Sequence, residues 1–288
     1  MLCGHDAITL AKGEYTLNTI KNLQTGTAKV EGADLYYEIA GEGPPLVLAH
    51  AGFVDGRMWD EQFALFAQHY RVVRYDQRGF GNSKATEGPF SHRHDLVQLL
   101  NFLRIEQAHL LGCSVGGQII IDLALEHPER VTSLVLVSSA LSGYEMQGEM
   151  PKPLQELMAA MQANDLNRAA ELAVQLWIAG PKRTLDQVDR GIRARAHAMS
   201  LSALPNFFNE EEPLAPPAIE RLHEIAAPTL VMVGELDDDS IATIGELLTT
   251  RIVGAQKVSI AGAAHLPNME QPQEFNQQVL AFLQQGSM

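Results

Sequence analysis

Cysteine is nearly absent from this chain, which has two among 288 residues, Cys3 and Cys113. Two cysteines, one close to the start and one inside a glycine-rich turn, make neither a disulfide framework nor a zinc site. Basic charge is also short: 21 Lys and Arg face 35 Asp and Glu, a formal net charge of −14. Lys and Arg cluster nowhere, and without a basic face the chain is not expected to bind nucleic acid or an anionic membrane surface. No apolar run approaches the eighteen or so residues of a membrane span. The start, Met1-Leu2-Cys3-Gly4-His5-Asp6, lacks a basic segment followed by an apolar one, so the expected location is the cytoplasm. Aromatic residues make up 6%, with two tryptophans.

What is present is ordinary globular composition, 46% hydrophobic and 19% charged, in a chain long enough for one large domain. Residues 1–25 show no period and read as an N-terminal extension. Alternation from Gly26 to Gly43 suggests an antiparallel hairpin. Short apolar segments follow at Leu46 to Ala49, Arg71 to Tyr75, His109 to Leu111, Leu134 to Val137, Thr229 to Val233 and Lys257 to Ile260, separated by helical stretches. Strands alternating with helices predict an α/β fold, a mostly parallel twisted sheet with helices on both faces. The alternation stops over residues 141–215, where helical periods at Leu154–Met158, Leu172–Trp177 and Ile192–Met199 predict an inserted helical cap. The core is then 26–140 together with 216–288.

Ligands in such sheets sit beyond the carboxyl ends of the strands, and three segments there carry chemistry. Gly112-Cys113-Ser114-Val115-Gly116 lies between an apolar strand and a helix-like stretch, Gln118 to Glu126. A nucleophilic serine on so tight a turn needs small residues two before and two after it, and Gly112 and Gly116 meet that need. Composition alone would produce G-x-S-x-G in about one chain in ten of this length, so the motif gains its weight from partners. Thr229–Val233 runs out into Gly234-Glu235-Leu236-Asp237-Asp238-Asp239, where Asp237 is placed to orient a base, and Asp238 and Asp239 read as a solvated turn. Lys257–Ile260 runs into Ala261-Gly262-Ala263-Ala264-His265-Leu266-Pro267, which puts His265 in a small-residue loop as general base. For an oxyanion hole the N–H of Val115 is one donor, and the loop His50-Ala51-Gly52-Phe53 offers Gly52, with Phe53 as runner-up. His50 reads as a structural residue of that loop, and Cys113 as a packing residue.

Several of these pieces, in this order, resemble the α/β-hydrolase superfamily over about residues 28 to 284. They are His50-Ala51-Gly52-Phe53 with Arg57-Met58-Trp59-Asp60, Tyr75-Asp76-Gln77-Arg78-Gly79-Phe80-Gly81-Asn82-Ser83, the Ser114 turn, His127-Pro128-Glu129-Arg130-Val131, and Gly262-Ala263-Ala264-His265-Leu266-Pro267-Asn268-Met269-Glu270-Gln271-Pro272. The resemblance is to small cofactor-independent serine hydrolases such as 3-oxoadipate enol-lactonases and carboxylesterases. It implies the α/β-hydrolase fold and a Ser, Asp, His triad in that chain order, with no cofactor and no metal. Ala51 departs from the glycine that usually follows the histidine.

The expected activity is hydrolysis of a small-molecule ester or lactone through an acyl-enzyme. A C–C bond hydrolase or a perhydrolase on the same triad, or a ligand-binding receptor-like homologue, are the alternatives. A serine at the apex disfavours dehalogenase and epoxide hydrolase chemistry, which uses aspartate there. The cap would supply pocket residues, with Met146, Trp177, Phe207 and Phe208 beside Phe53 as candidates. A homo-oligomer stays open as an alternative to a monomer. Two other segments read as non-functional: Ser91-His92-Arg93-His94-Asp95 as a helix start with exposed histidines, and Asp76 to Gly81 as a loop anchored by Arg78, since it lacks the G-K-[ST] ending of a phosphate cradle.

Overall fold

The computed structural model describes residues 20, 22–85, 88–145, 149–206 and 211–285. Among them, nine strands form one sheet: β1 (Gln24–Val30), β2 (Ala33–Ala40), β3 (Pro45–Ala49), β4 (Arg71–Tyr75), β5 (Lys84–Ala85), β6 (Ala108–Cys113), β7 (Val131–Val137), β8 (Thr229–Gly234) and β9 (Gln256–Ile260). Their order is β1-β2-β4-β3-β6-β7-β8-β9, with β5 pairing β2. β1, β2 and β4 pair antiparallel, and every pairing from β4 through β9 is parallel. The β1–β2 turn uses Gly32 at φ 70°, a left-handed conformation that glycine adopts without a Cβ clash.

Side chains on a strand alternate between faces, and here the alternation feeds two separate cores. Leu46 and Leu48 of β3, Leu111 of β6, Val135 and Val137 of β7, and Leu230 and Met232 of β8 share one cluster with α1 (Asp60–Phe66) and α10 (Pro272–Gln285). The intervening Val47, Leu110, Leu134, Leu136 and Val231 share the other with α2 (His92–Phe102), α3 (Val115–Glu126) and α8 (Asp239–Arg251). Both faces being covered is why these strands read as continuous apolar runs in the sequence. β6 and β7 are longer than their apolar centres because the ladder continues through His109, which pairs with Ser133 and also meets it side chain to side chain at 2.8 Å.

Between β7 and β8 no strand occurs among the described residues, and the main elements are α4 (Lys152–Gln162), α5 (Leu166–Ala173), a π-helical turn Val174–Ala179 and α6 (Arg190–Ala203). Their apolar sides, including Leu157, Leu172, Ile178 and Met199, join the cluster that holds α1 and α10. The remaining helices are the short α7 (Ala218–Arg221), just before β8, and α9 (Pro267–Glu270), just after His265. No helix among the described residues is long and apolar enough to cross a membrane.

Candidate active site

β6 ends at Cys113 and α3 begins at Val115, leaving Ser114 alone on the turn between them. Its backbone sits at φ 54°, ψ −117°, a region L-residues rarely occupy, and the surroundings hold it there. Ser114 donates its N–H to Val137 at 2.9 Å, and its carbonyl accepts from Ala140 and Gln118 at 3.0 and 3.1 Å. A Cβ on Gly112 would strike the carbonyl of Gly116, and one on Gly116 would strike the carbonyl of Ala49. The two glycines therefore let strand and helix pass at backbone contact, the spacing requirement read from the sequence. Cys113 is fully buried, its thiol lies 3.6 Å from the His265 carbonyl, and burial pushes that thiol well above its ordinary pKa. It is protonated packing material beside the turn.

The three consecutive aspartates separate by partner. Asp237 is 4% exposed and accepts from His265 Nδ1 at 2.8 Å and from the Asp238 N–H at 2.8 Å. Asp238 caps α8 by accepting from Ser240 N–H at 2.8 Å, so it is a helix cap where the sequence suggested a free turn. Asp239 is exposed and meets Lys182. The Asp237 and His265 loops are laced together by Glu235 N–H to Ile260 and Leu236 N–H to Ala263, at 3.1 and 2.9 Å. Gly234 permits this, since a Cβ there would collide with the Ala264 carbonyl. With a carboxylate accepting at Nδ1, the neutral form of His265 carries its proton on Nδ1 and presents the Nε2 lone pair. His265 is 3% exposed and shares a cavity wall with Ser114. No hydrogen bond joins Ser114 Oγ to His265 among the described residues, and such contacts commonly tighten when substrate binds.

The loop after β3 is braced by His50. Its Nε2 accepts the Gln77 N–H at 2.8 Å, its Nδ1 meets the Ala51 carbonyl at 2.8 Å, and the Gln77 amide donates back to the His50 carbonyl. Complete burial holds His50 below its ordinary pKa, in the neutral form those partners require. In the same loop Val54 N–H is used by Ala51 and Ala51 N–H by the Met58 sulfur, while the N–H groups of Gly52 and Phe53 have no acceptor among the described residues. Val115 stands at the first turn of α3, where helix N–H groups are unpaired within the helix.

A cavity of about 620 Å³ lies against these residues, lined by Phe53, Ser114, Trp177, Asp237 and His265 together with Leu154, Leu176, Leu185 and Ile241. Trp177 reaches it from the π-helical turn and stacks on Phe53, ring centroids 4.5 Å apart. Met146, Phe207 and Phe208 lie outside the described residues. A second cleft, about 600 Å³, is lined by Asn101, Arg104 and Arg130 at the amino ends of β6 and β7, the end of the sheet away from Ser114.

A second sequence expectation is overturned. Ser91 does cap α2, accepting from His94 N–H at 3.4 Å, but His92 is buried, not exposed. It packs against Phe90 and Phe80, and burial drives its pKa down to about 3. The helical period could not show this, because Phe80 and Phe90 come from a loop folded over the helix start. Arg78 anchors as expected, bidentate to Asp95 at 2.8 and 2.6 Å and bonded to Gly32 and Glu31 carbonyls.

Three supports of the site carried no sequence signal. The His265 N–H donates to the Trp177 carbonyl at 3.2 Å. Asn268 donates to the Met58 carbonyl at 2.9 Å and to Gln62 at 3.2 Å, tying the His265 loop to the segment after β3. Arg183 bridges the π-helical turn to Gly262 and Glu270. Each joins residues far apart in the chain, so only the folded chain reveals it.

A family model described as the alpha/beta hydrolase family matches residues 46–278. A pimeloyl-(acyl-carrier protein) methyl ester esterase of Aeromonas salmonicida is 30% identical over 250 residues, covering 84% of this chain and 96% of its own. 3-Oxoadipate enol-lactonase 2 of Acinetobacter baylyi is 27% identical over 263 residues, 89% of this chain and 96% of its own. The crystal structure of the enol-lactonase from Burkholderia xenovorans superposes with a TM-score of 0.76 at 27% identity, covering 90% of this chain and 100% of that one.

Proposed function

The chain belongs to the alpha/beta hydrolase family, and from that premise we propose that it hydrolyses a carboxylic ester or lactone of a small molecule through an acyl-enzyme on Ser114. Relatives named as an esterase and a lactonase support the class. The observation that carries the reading is the buried 2.8 Å contact between His265 Nδ1 and Asp237, which leaves Nε2 as a base toward the cavity that Ser114 also lines.

In the proposed reaction His265 Nε2 takes the Ser114 proton as Oγ attacks the carbonyl carbon, and the negative charge on the former carbonyl oxygen is held by the N–H groups of Val115 and Gly52, with Phe53 the alternative second donor. The imidazolium then gives its proton to the departing alcohol oxygen, or to the ring oxygen of a lactone. Asp237 keeps the imidazole in the productive tautomer throughout. Water, deprotonated by His265, attacks the acyl-enzyme, and the acid leaves. Residues 141–215 act as a helical cap that walls the site with Trp177 and limits water.

The test is intact-mass spectrometry of wild type and Ser114→Ala after exposure to a fluorophosphonate or an activated p-nitrophenyl ester. A single adduct on wild type, missing from the variant, is the expected result. Absence of an adduct on both proteins refutes the acyl-enzyme reading and favours a ligand-binding homologue.

A further inference from the structure

The cavity beside Ser114 has one cation on its described wall, Arg183, and every arm of its guanidinium is engaged. Nε donates to the Ala179 carbonyl at 3.0 Å and Nη1 to that of Gly262 at 3.0 Å. Nη2 donates to the Ile178 carbonyl at 2.6 Å and to the Glu270 carboxylate. The ion pair is largely buried, the two side chains being 10% and 3% exposed. The other Glu270 oxygen accepts the Ala264 N–H at 2.9 Å, so the carboxylate has no reason to leave. The Arg183 charge is therefore paired, and four of its five N–H donors are in use.

The remaining charges on the wall are anionic. Asp237 is held by His265, and Asp238, half-buried, caps α8. Lys182 turns away to Asp239 and the Glu235 carbonyl. The residues outside the described set contain, in sequence, only Lys12 and Lys21 as Lys or Arg, while 146–148 and 207–210 contain one Glu and no Lys or Arg. Much of the wall that is left is apolar, notably Phe53, Leu154, Leu176, Trp177, Leu185 and Ile241. A carboxylate entering such a space loses its hydration and meets, among the described residues, no unpaired Lys or Arg, two fixed anions and the field of a chain carrying −14.

We infer that the cavity selects uncharged, apolar esters or lactones and rejects substrates with a second, ionised carboxyl group, and that the Arg183–Glu270 pair sets this preference by withholding from the ligand the one Lys or Arg charge on the described wall. This rests on the reading of Ser114 as the nucleophile. An unpaired arginine in the same position would act oppositely, since its planar fork binds carboxylates with two parallel bonds.

The test compares mono-p-nitrophenyl adipate, which carries a free carboxylate, with its methyl-capped diester, both read by p-nitrophenolate release at pH 7.5 and low salt. Wild type is expected to show kcat/KM at least ~10-fold higher for the capped substrate, the factor that about 1.4 kcal/mol of differential binding produces. Glu270→Gln keeps an oxygen for the Ala264 N–H while freeing the Arg183 charge, and it is expected to shrink that ratio at least ~3-fold whatever happens to the absolute rates. Equal kcat/KM values for the two substrates in wild type overturn the inference, and an unchanged ratio in Glu270→Gln overturns the role of the pair. Fluorophosphonate labelling of the same preparation separates the two levels. With Ser114 labelled, equal rates remove the selectivity and leave the hydrolase standing, whereas no labelling removes both.

Discussion

The backbone N–H of His265 donates to the carbonyl oxygen of Trp177 at 3.2 Å, while the Trp177 side chain stacks on Phe53 in the cavity. One residue of the helical segment thus performs two separable tasks: its main chain braces the His265 loop and its indole shapes the wall. The Trp177 carbonyl is free for this because it lies in the last turn of the π-helical segment Val174–Ala179, and the residue four positions on, Pro181, has no N–H to offer it.

Truncating the indole should therefore affect binding more than chemistry. Trp177→Ala is expected to raise KM for an aryl ester about tenfold, the loss of roughly 1.4 kcal/mol of apolar contact, with kcat falling less than ~3-fold. Steady-state kinetics decide it: a collapsed kcat at constant KM would show that the ring, and not only the main chain, positions His265.

The three aspartates offer a sharp discrimination. Ser114→Ala and His265→Ala should each lose at least ~10³-fold in kcat, and Asp237→Asn a similar or smaller factor. Asp238→Ala removes a helix cap and should cost about 1 kcal/mol of stability while leaving kcat within a few-fold of wild type. Full activity in Asp237→Asn with inactivity in Asp238→Asn would transfer the acid role to the neighbour.

Strain at the serine turn can be measured without activity. At φ 54°, ψ −117° a glycine is unstrained, whereas alanine keeps the Cβ that makes the conformation costly. Ser114→Gly is expected to unfold at higher denaturant than Ser114→Ala, by about 1 kcal/mol after allowing for the greater chain entropy of glycine. Equal midpoints would mean the turn stores no strain.

Asp122 on α3 supplies a pH-dependent prediction. Burial, then the nearby Glu211, raises its carboxyl from 3.8 to about 7, and Glu126 pushes the same way against Arg93 and Arg221. The folded state thus holds a proton that the unfolded state has released above pH 4. This contribution is complete below about pH 4 and is lost as pH rises through about 7. Asp122→Asn should gain in stability relative to wild type between pH 4 and pH 8, by at most about 4 kcal/mol for a shift of about three units. Denaturant melts at both ends of that range test it, and a difference independent of pH would refute it.

Local order determined what could be read without a structure. Apolar runs bounded by turn residues mark β3, β4, β6, β7, β8 and β9, because strands covered on both faces need uninterrupted burial. Gly112 and Gly116 mark the Ser114 turn, because no residue with a Cβ fits there. The loops holding Asp237 and His265 are legible as strand ends, and the family follows from their order.

What only tertiary structure decided lies between segments. Nothing in Asp237-Asp238-Asp239 says that the first faces an imidazole 28 positions on and the second caps a helix, since that depends on how β8 and β9 are aligned. Nor does the sequence around His92 reveal burial under Phe80 and Phe90, or that around Arg183 a cation paired with Glu270. Strand and turn propensities act within a few residues. Burial, pairing and charge cancellation are set by neighbours the chain brings together only on folding, and it is those that shape the cavity beside Ser114.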